Sequence, residues 1–351
     1  MSLVPRVVVV HRRTEREQIV RERGTWGQAK FQAKAASVSL SAVEARHSAT
    51  DRALQAVSCA VPGTWRRGAV EREDLDRFLF EPEDIVVVVG QDGLAANVAK
   101  YLSGQPVIGI DPNPGTGLGV LARHRPDQCA TLLAEAAEGR ADIQERTMVS
   151  AAVSDGAPPT PGNGNSNSNS AYASAYTLSP KRSTPTPTTT PTPSSPPPPT
   201  DSLSVSAPAL LTLTALNEVY LGSPTHQSAR YILTLPDGRS EPQSSSGLLA
   251  GTGTGATGWL LSAARERNSP LPLPAPTERR LGWFVREAWP SPTTGADLTE
   301  GLIEPAQTLH VLVQSESLVV FGDGIESDRL TLTWGQTVTI APAHQTLRLV
   351  V

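Results

Sequence analysis

Two short runs built almost entirely of β-branched residues constrain the fold of this chain more than any other feature. Residues 7–10 are four consecutive valines, and residues 85–89 read Ile-Val-Val-Val-Val. Continuous apolar runs of this length indicate strands that are covered on both faces, as in a parallel sheet. A third run follows at residues 106–110, and helix-like stretches alternate with the strands at residues 13–23, 28–36, 48–57, 94–102 and 127–138. The alternation predicts a doubly wound α/β domain over residues 1–153.

The second half of the chain has a different pattern. Short strand-like runs occupy residues 210–214, 219–222, 231–235, 309–314, 318–321, 329–333, 338–340 and 347–351. Turn sequences at residues 236–238 (Pro-Asp-Gly) and 322–324 (Gly-Asp-Gly) punctuate them. We therefore expect a β-sandwich-like domain over residues 206–351 with one good helix, beginning near Trp259. A chain of 351 residues is long enough for two domains.

Between these halves, residues 154–205 consist mainly of Pro, Ser, Thr, Asn and Gly. Such a composition cannot bury enough apolar surface to offset the entropy of ordering, so it predicts a disordered linker or insertion. A proline-rich ligand for a partner domain is the alternative reading of this segment.

Charge and residue usage exclude several classes of function. A net charge of −4 provides no basic field for nucleic acid. The two cysteines, Cys59 and Cys129, and the six scattered histidines lack the spacing of a metal site. No apolar run approaches the roughly 20 residues of a membrane span, and the N-terminus does not match a secretory signal. The expected location is the cytoplasm.

The first candidate site is the turn after the second strand, Gly90-Gln91-Asp92-Gly93. Open α/β sheets bind ligands at the carboxyl ends of their strands, and a helix that starts there offers N–H groups to an anion. Asp92 is the candidate catalytic carboxylate. An ordinary turn with Asp92 as a helix cap is the structural alternative.

Two further candidates lie in the second half. Asn217 and Glu218 place an amide beside a carboxylate, a pair suited to the hydroxyls of a ribose. Residues 251–259 read Gly-Thr-Gly-Thr-Gly-Ala-Thr-Gly-Trp. Alternating glycines let backbone amides approach a phosphate, and hydroxyls add further contacts. The candidate ligand-binding residues of this loop are Thr252, Gly253, Thr254, Gly255, Thr257 and Trp259.

These motifs, taken in order, resemble those of the NAD kinase family. Residues 90–93 are similar to the family's GGDG turn, with Gln91 in place of its second glycine. Residues 215–219 match the family signature Ala-Leu-Asn-Glu-Val residue for residue, and residues 107–121 look like its strand and glycine loop. The Thr-Gly-Thr-Gly sequence is closest to the mitochondrial-type branch. The chain departs from the pattern at residues 264–267, where Ala-Arg-Glu-Arg replaces a Gly-Gly.

The resemblance implies transfer of the γ-phosphoryl group of ATP, or of a phosphoryl group of polyphosphate, to the 2′-hydroxyl of the adenosine ribose of NAD. Asp92 would orient or accept the hydroxyl proton and could hold Mg²⁺, while Asn217 and Glu218 would bind ribose. Arg286, in an Arg-Glu pair that echoes the family, could contact phosphate, although a surface ion pair is the commoner role. Members are usually homo-oligomers. A lipid or sphingoid kinase of the same superfamily and a catalytically silent nucleotide-binding module are the alternatives.

Overall fold

A computed structural model describes residues 4–115, 117, 119–156 and 211–351. The predicted linker from residue 157 onward therefore lies outside the described residues. In the first part, the elements are β1 (Arg6–His11), α1 (Glu15–Arg23), α2 (Trp26–Ala35), α3 (Ser41–Ala60), β2 (Arg66–Glu71), β3 (Asp84–Val89), α4 (Asp92–Ala99), β4 (Pro106–Ile110), α5 (Cys129–Ala137) and β5 (Ile143–Asp155).

The second part begins with β6 (Leu211–Ala215), β7 (Glu218–Gly222), β8 (Ala229–Thr234), β9 (Ser240–Ser245), β10 (Gly247–Gly251) and α6 (Trp259–Glu266). It continues with β11 (Leu281–Arg286), β12 (Glu300–Ile303), β13 (Leu309–Val313), β14 (Ser317–Gly322), β15 (Ile325–Thr333) and β16 (Gln336–Val350).

One mixed sheet extends through both parts of the chain. Its parallel portion has the order β2-β1-β3-β4, and the last strand, β16, continues it by pairing parallel to β4 at Arg348 and Leu349. β16 also runs antiparallel to β5 along most of its length and to β13, which leads on to β8 and β9. The C-terminal strand therefore joins the α/β portion to the antiparallel portion by backbone hydrogen bonds.

Helices cover both faces of the parallel portion. The side chains of β3 alternate between two apolar clusters, one shared with α4 and the other with α3 and α5. This double coverage explains why every residue of β3 is buried.

The second sheet is antiparallel, with the order β12-β11-β10-β7-β14-β15. One face packs on the antiparallel portion of the first sheet over a core that includes Trp283 and Tyr231. α6 covers part of the other face, where Leu260 packs with Leu249 and Phe284.

The predicted fold class is confirmed: a mixed sheet flanked by helices is combined with an antiparallel β unit. The predicted strands do not include β2, β5, β9, β10, β11 and β12. Of these, β2 and β9 lie at the two ends of the first sheet, and β10, β11 and β12 are short and each contain a glycine. An edge strand is partly exposed to solvent and can carry polar side chains, so its sequence need not contain an apolar run. The runs at 338–340 and 347–351 belong to one strand, β16, whose register shifts between Pro342 and Thr346.

β5 continues through Ser154 and Asp155, where the composition predicts the start of the linker. These two residues stay in the sheet because they pair with Thr337 and Gln336 of β16. Within the described part of the chain, helices are too short or too polar to cross a bilayer.

Candidate functional site

The Asp92 turn, residues 90–93, connects β3 to α4, and its carboxylate is anchored to the loop after β4. Asp92 Oδ2 accepts the amide of Val120 at 3.0 Å, and Oδ1 accepts the amides of Leu121 and Ala122 at 2.8 Å each. An ionised carboxylate offers about four lone-pair sites, so these amides leave about one for a ligand. Asp92 can therefore receive a single hydroxyl while it holds the loop in place.

The other residues of the Asp92 turn differ in how closely they are packed. A Cβ on Gly90 would lie 2.9 Å from Leu94 Cδ2, so the Leu94 side chain would have to shift to admit one. A Cβ on Gly93 would have open space around it. Gln91 is exposed and makes no side-chain cap hydrogen bond to α4. The turn is thus closed on the Gly90 side and accessible at Gln91 and Gly93.

Asn217 and Glu218 lie at the start of β7, beside an aspartate from the β14–β15 hairpin. Asp323 Oδ1 accepts the amide of Asn217 at 2.7 Å, and Oδ2 accepts the amide of Leu216 at 2.8 Å. The amide of Asp323 in turn donates to the carbonyl of Glu218 at 3.1 Å. The hairpin therefore fixes the backbone that carries the amide and carboxylate pair.

Burial changes the titration of the two carboxyl groups at this point. It raises the pKa of Glu218 to about 8, and the negative charge of Asp323 adds to the shift. Burial also raises the pKa of Asp323 to about 6, against the opposing effects of its amide hydrogen bonds and of the Lys100 charge. Glu218 is thus largely protonated at neutral pH, and as a neutral acid it can both donate to and accept from a hydroxyl.

The Gly-Thr loop, residues 251–258, packs directly against Asn217. The amide of Thr252 donates to the carbonyl of Asn217 at 2.8 Å, and the buried Thr252 hydroxyl donates to the carbonyl of Leu216 at 2.6 Å. The same hydroxyl accepts the amides of Thr254 and Gly255 at 3.1 and 3.3 Å. Thr252 therefore organises the loop from within.

Close packing of backbone against backbone accounts for two of the loop glycines. A Cβ on Gly253 would overlap the carbonyl of Ala275, and one on Gly255 would overlap the carbonyl of Asn217. The amides of residues 252 and 254–258 all donate to acceptors within the protein. Phosphate binding by this loop stays a prediction.

Thr254 and Thr257 meet at the end of the Gly-Thr loop. The Thr257 hydroxyl donates to the carbonyl of Thr254 at 2.8 Å. The Thr254 hydroxyl is buried and has no hydrogen-bond partner among the described residues. It is the one side chain of the loop that is both buried and left with an unused donor in the described structure.

Trp259 and Arg286 form part of an aromatic group on the α6 side of the second sheet. The Trp259 ring stacks on Tyr220 with centroids 5.4 Å apart, and the Arg286 guanidinium carbon lies 5.5 Å from the Trp259 centroid. Arg286 also forms an ion pair with the neighbouring Glu287 at 3.3 Å. These contacts place Arg286 on the tryptophan face, and a phosphate role for it stays a prediction.

α4, the helix that begins at Asp92, contacts the Asp323 hairpin. Asn97 Nδ2 donates to the carbonyl of Asp323 at 3.1 Å, and Asn97 Oδ1 accepts Nε of Arg72 at 2.6 Å. A continuous set of contacts therefore runs from α4 through Asp323 to Asn217 and on to the Gly-Thr loop.

Comparison with known proteins gives a likeness at the level of the fold. No family model and no curated protein matches this sequence. A crystal structure of yeast NADH kinase complexed with NADH is similar, with a TM-score of 0.54 and 13% sequence identity. The match covers 100% of this chain and 84% of that one. The chain has an NADH-kinase-like fold.

Asp323 and Asn97 belong to the candidate site, and neither was among the site residues predicted from the sequence. Residues 322–324 form the predicted hairpin turn, between β14 and β15. Within it, Asp323 has a positive φ of 51° and an inward carboxylate. An aspartate between two glycines was the available indication, since Asp tolerates the left-handed region. For Asn97 the indication was a polar residue in the apolar helix α4, where it is 6% exposed.

The described residues do not fit a metal centre built by the protein itself. No group of three or more His, Cys, Asp or Glu side chains converges among them. Asp92 retains room for about one further contact, as argued above. A divalent cation here would have to be held mainly by the phosphates of a ligand.

Proposed function

We propose that this chain is an NAD-kinase-like phosphotransferase that converts NAD to NADP with ATP or polyphosphate as the donor. One observation carries the proposal: Asn217 binds both the Gly-Thr loop and Asp323, and Asp323 contacts the helix of Asp92. The Asp92 turn thus belongs to one connected region with two motifs that lie more than 100 residues further along the chain. The NADH-kinase-like fold is consistent with that arrangement.

The chemistry of the region suits an alcohol acceptor. Phosphoryl transfer requires mainly positioning and charge stabilisation. The free lone-pair site of Asp92 would accept the proton of the 2′-hydroxyl, while its three amide hydrogen bonds hold the carboxylate still. Asn217 and protonated Glu218 would bind ribose hydroxyls as mixed donors and acceptors.

The cation required for phosphoryl transfer would be bound through the phosphate donor. Mg²⁺ would arrive with ATP, because the described residues offer no protein-built site for it. We also propose that the protein works in the cytoplasm as a homo-oligomer, which fractionation and light scattering would test.

The deciding experiment is an assay for NADP formation by the full chain. ATP and polyphosphate serve as donors, and NAD, NADH and a diacylglycerol serve as acceptors. We expect NADP or NADPH to form. Phosphorylation of the diacylglycerol alone would replace the proposal by a lipid kinase.

A binding module without turnover is the second candidate, and the exposed Gln91 side chain at the turn favours it. Gln91 can obstruct a donor phosphate or donate a hydrogen bond to it. If it donates, Gln91→Ala lowers activity. A wild type that binds NAD by calorimetry, forms no NADP with either donor and gains turnover in Gln91→Gly would establish obstruction.

A further inference from the structure

Arg146 is a buried cation, and no ion pair or side-chain hydrogen bond of its guanidinium is found among the described residues. It lies on β5 and is 4% exposed. Its Nε and Nη1 atoms are buried and have no hydrogen-bond partner among the described residues. An unpaired buried charge is costly by several kcal/mol unless a counter-ion compensates it. Such a group indicates a position where an anion binds.

Another arginine of the same sheet, Arg6, has a carboxylate partner and serves as a comparison for Arg146. Arg6, on β1, donates from Nε and Nη2 to the two carboxylate oxygens of Asp84 at 2.7 and 2.6 Å. Asp84 is fully buried and its carboxylate serves this pair. The sheet thus supplies a matched carboxylate to Arg6 and none to Arg146, although Arg146 is the more deeply buried.

The surroundings of Arg146 place it beside Asp92. Alternation along β5 puts Arg146 on the same side as Met148, which belongs to the same apolar cluster as Leu94 of α4 and Leu121. Leu121 belongs to the loop whose amides bind the Asp92 carboxylate. Arg146 therefore lies at the edge of the apolar cluster that supports the Asp92 turn.

Charged neighbours of both signs act on Arg146. Burial lowers the pKa of Arg146, the positive charge of Arg123 lowers it further, and the charge of Asp92 acts in the opposite direction. Two guanidinium groups thus share one nearby carboxylate, which already accepts three amides.

We propose that Arg146, assisted by the exposed Arg123, binds a phosphate group of a nucleotide or polyphosphate beside Asp92. The proposal rests on the proposed function for the kind of ligand. A guanidinium presents parallel N–H donors that match two phosphate oxygens, which a lysine ammonium cannot reproduce. The phosphate would complete the hydrogen bonding of Arg146 and lie next to the carboxylate assigned to the acceptor hydroxyl.

Calorimetric titration of the full chain with tripolyphosphate, ATP and NAD tests this without relying on turnover. The variants are Arg146→Met, Arg146→Lys and Arg123→Met. Arg140→Met, which removes an exposed arginine paired with Glu138, is the control. We expect Arg146→Met to raise the Kd of a phosphate-bearing ligand by about 10- to 100-fold, which corresponds to the loss of hydrogen bonds to a charged group. Arg146→Lys should recover part of that loss, and Arg140→Met should bind as the wild type does.

The ligands distinguish the source of the phosphate. If the Arg146 variants bind tripolyphosphate and ATP more weakly, the site belongs to the phosphate donor. If only the binding of NAD is weaker, the site belongs to the pyrophosphate of the acceptor. Should Arg146→Met fail to fold, Arg146→Lys and Arg123→Met carry the test. Unchanged affinities for all three ligands in the folded Arg146 variants, or a wild type that binds none of them, would overturn the proposal. A protein that forms no NADP but loses tripolyphosphate binding in Arg146→Met would retain the phosphate site and lose only the proposed function.

Discussion

The Asp92 turn and the Gly-Thr loop look alike in sequence, since both are short and rich in glycine, yet the structure uses their glycines differently. At the Asp92 turn, a side chain anchors the neighbouring loop and Gly93 faces open space. In the Gly-Thr loop, Gly253 and Gly255 are pressed against the backbone of other segments. The Asp92 turn has open space beside Gly93, whereas the glycines of the Gly-Thr loop allow close packing of backbone segments.

This difference separates two physical reasons for a glycine. A missing side chain can admit a ligand to the backbone, or it can admit another part of the same protein. In the Gly-Thr loop the amides have found internal acceptors, including the Thr252 hydroxyl. The loop therefore positions Asn217 in this structure. Direct contact between the loop and a phosphate is a prediction for experiment. Four substitutions test the contrast.

The largest effect is expected at the Asp92 turn. Asp92→Asn should lower kcat for NADP formation by about 10²–10⁴-fold, the usual contribution of a positioned proton acceptor. The amide group would also face backbone N–H donors of residues 120–122, so some loosening of the loop accompanies the loss. Steady-state kinetics and a thermal melt measure both consequences, with NAD affinity changing much less than kcat.

Asp127→Asn is the matched control for that substitution, because Asp127 is an exposed residue that pairs with Arg125. It should leave kcat unchanged. A folded Asp92→Asn protein with turnover near that of the wild type would leave Asp92 as an anchor for the loop and nothing more.

A substitution in the Gly-Thr loop should lower the stability of the fold. In Gly253→Ala the new methyl group meets the carbonyl of Ala275, which belongs to the backbone and cannot rotate away. We expect a loss of about 1–3 kcal/mol in the free energy of unfolding, as for other overpacked sites. Denaturant titration provides the value. An unchanged midpoint would mean that the loop moves freely, and the contrast between the two regions would disappear.

Glu218, which lies beside the Gly-Thr loop, should make stability depend on pH. Its pKa is 4.5 in the absence of burial and about 8 in the folded protein, so the folded state holds a proton that the unfolded state releases. The stabilisation is fully present below pH 4.5 and is lost as pH rises through about 8. Glu218→Gln keeps a neutral side chain at all pH values. In this variant the free energy of unfolding should decline less between these two pH values.

Chemical denaturation at several pH values between 5 and 8 measures this effect, with Glu316→Gln on the surface as the comparison. The raised pKa of Asp323, about 6, adds a similar decline at lower pH that both variants retain. Parallel curves for wild type and Glu218→Gln would show that Glu218 ionises normally.

The smallest effect is expected for Gly93→Ala. Its methyl group would enter open space near the start of α4, where alanine is favoured over glycine by up to about 1 kcal/mol. Stability should therefore stay equal or rise slightly. A raised KM for the phosphate donor, with an unchanged KM for NAD, would show that the ligand approaches the backbone at this turn. Destabilisation comparable to that of Gly253→Ala would remove the distinction between the regions.

Local patterns in the sequence determined several of the elements that lie near the candidate site, but not β10, which leads into the Gly-Thr loop, or β5, which carries Arg146. The predicted strand at 106–110 is β4, and the helix expected near Trp259 begins there. The run at 85–89 becomes the fully buried β3, with the Asp92 turn directly after it. Such features follow from apolar runs and turn residues, whose effects act over a few neighbouring positions.

Only the tertiary structure decided which distant residues meet. Asp323 binds amides more than 100 positions away, and β16 joins β4 after an interval of more than 200 residues. No local pattern distinguishes Arg146 in the sequence. It becomes a candidate anion site only because folding buries it near Asp92 and leaves its Nε and Nη1 without partners among the described residues. Hydrogen bonding and desolvation depend on neighbours in space, and no local pattern specifies which neighbours those will be.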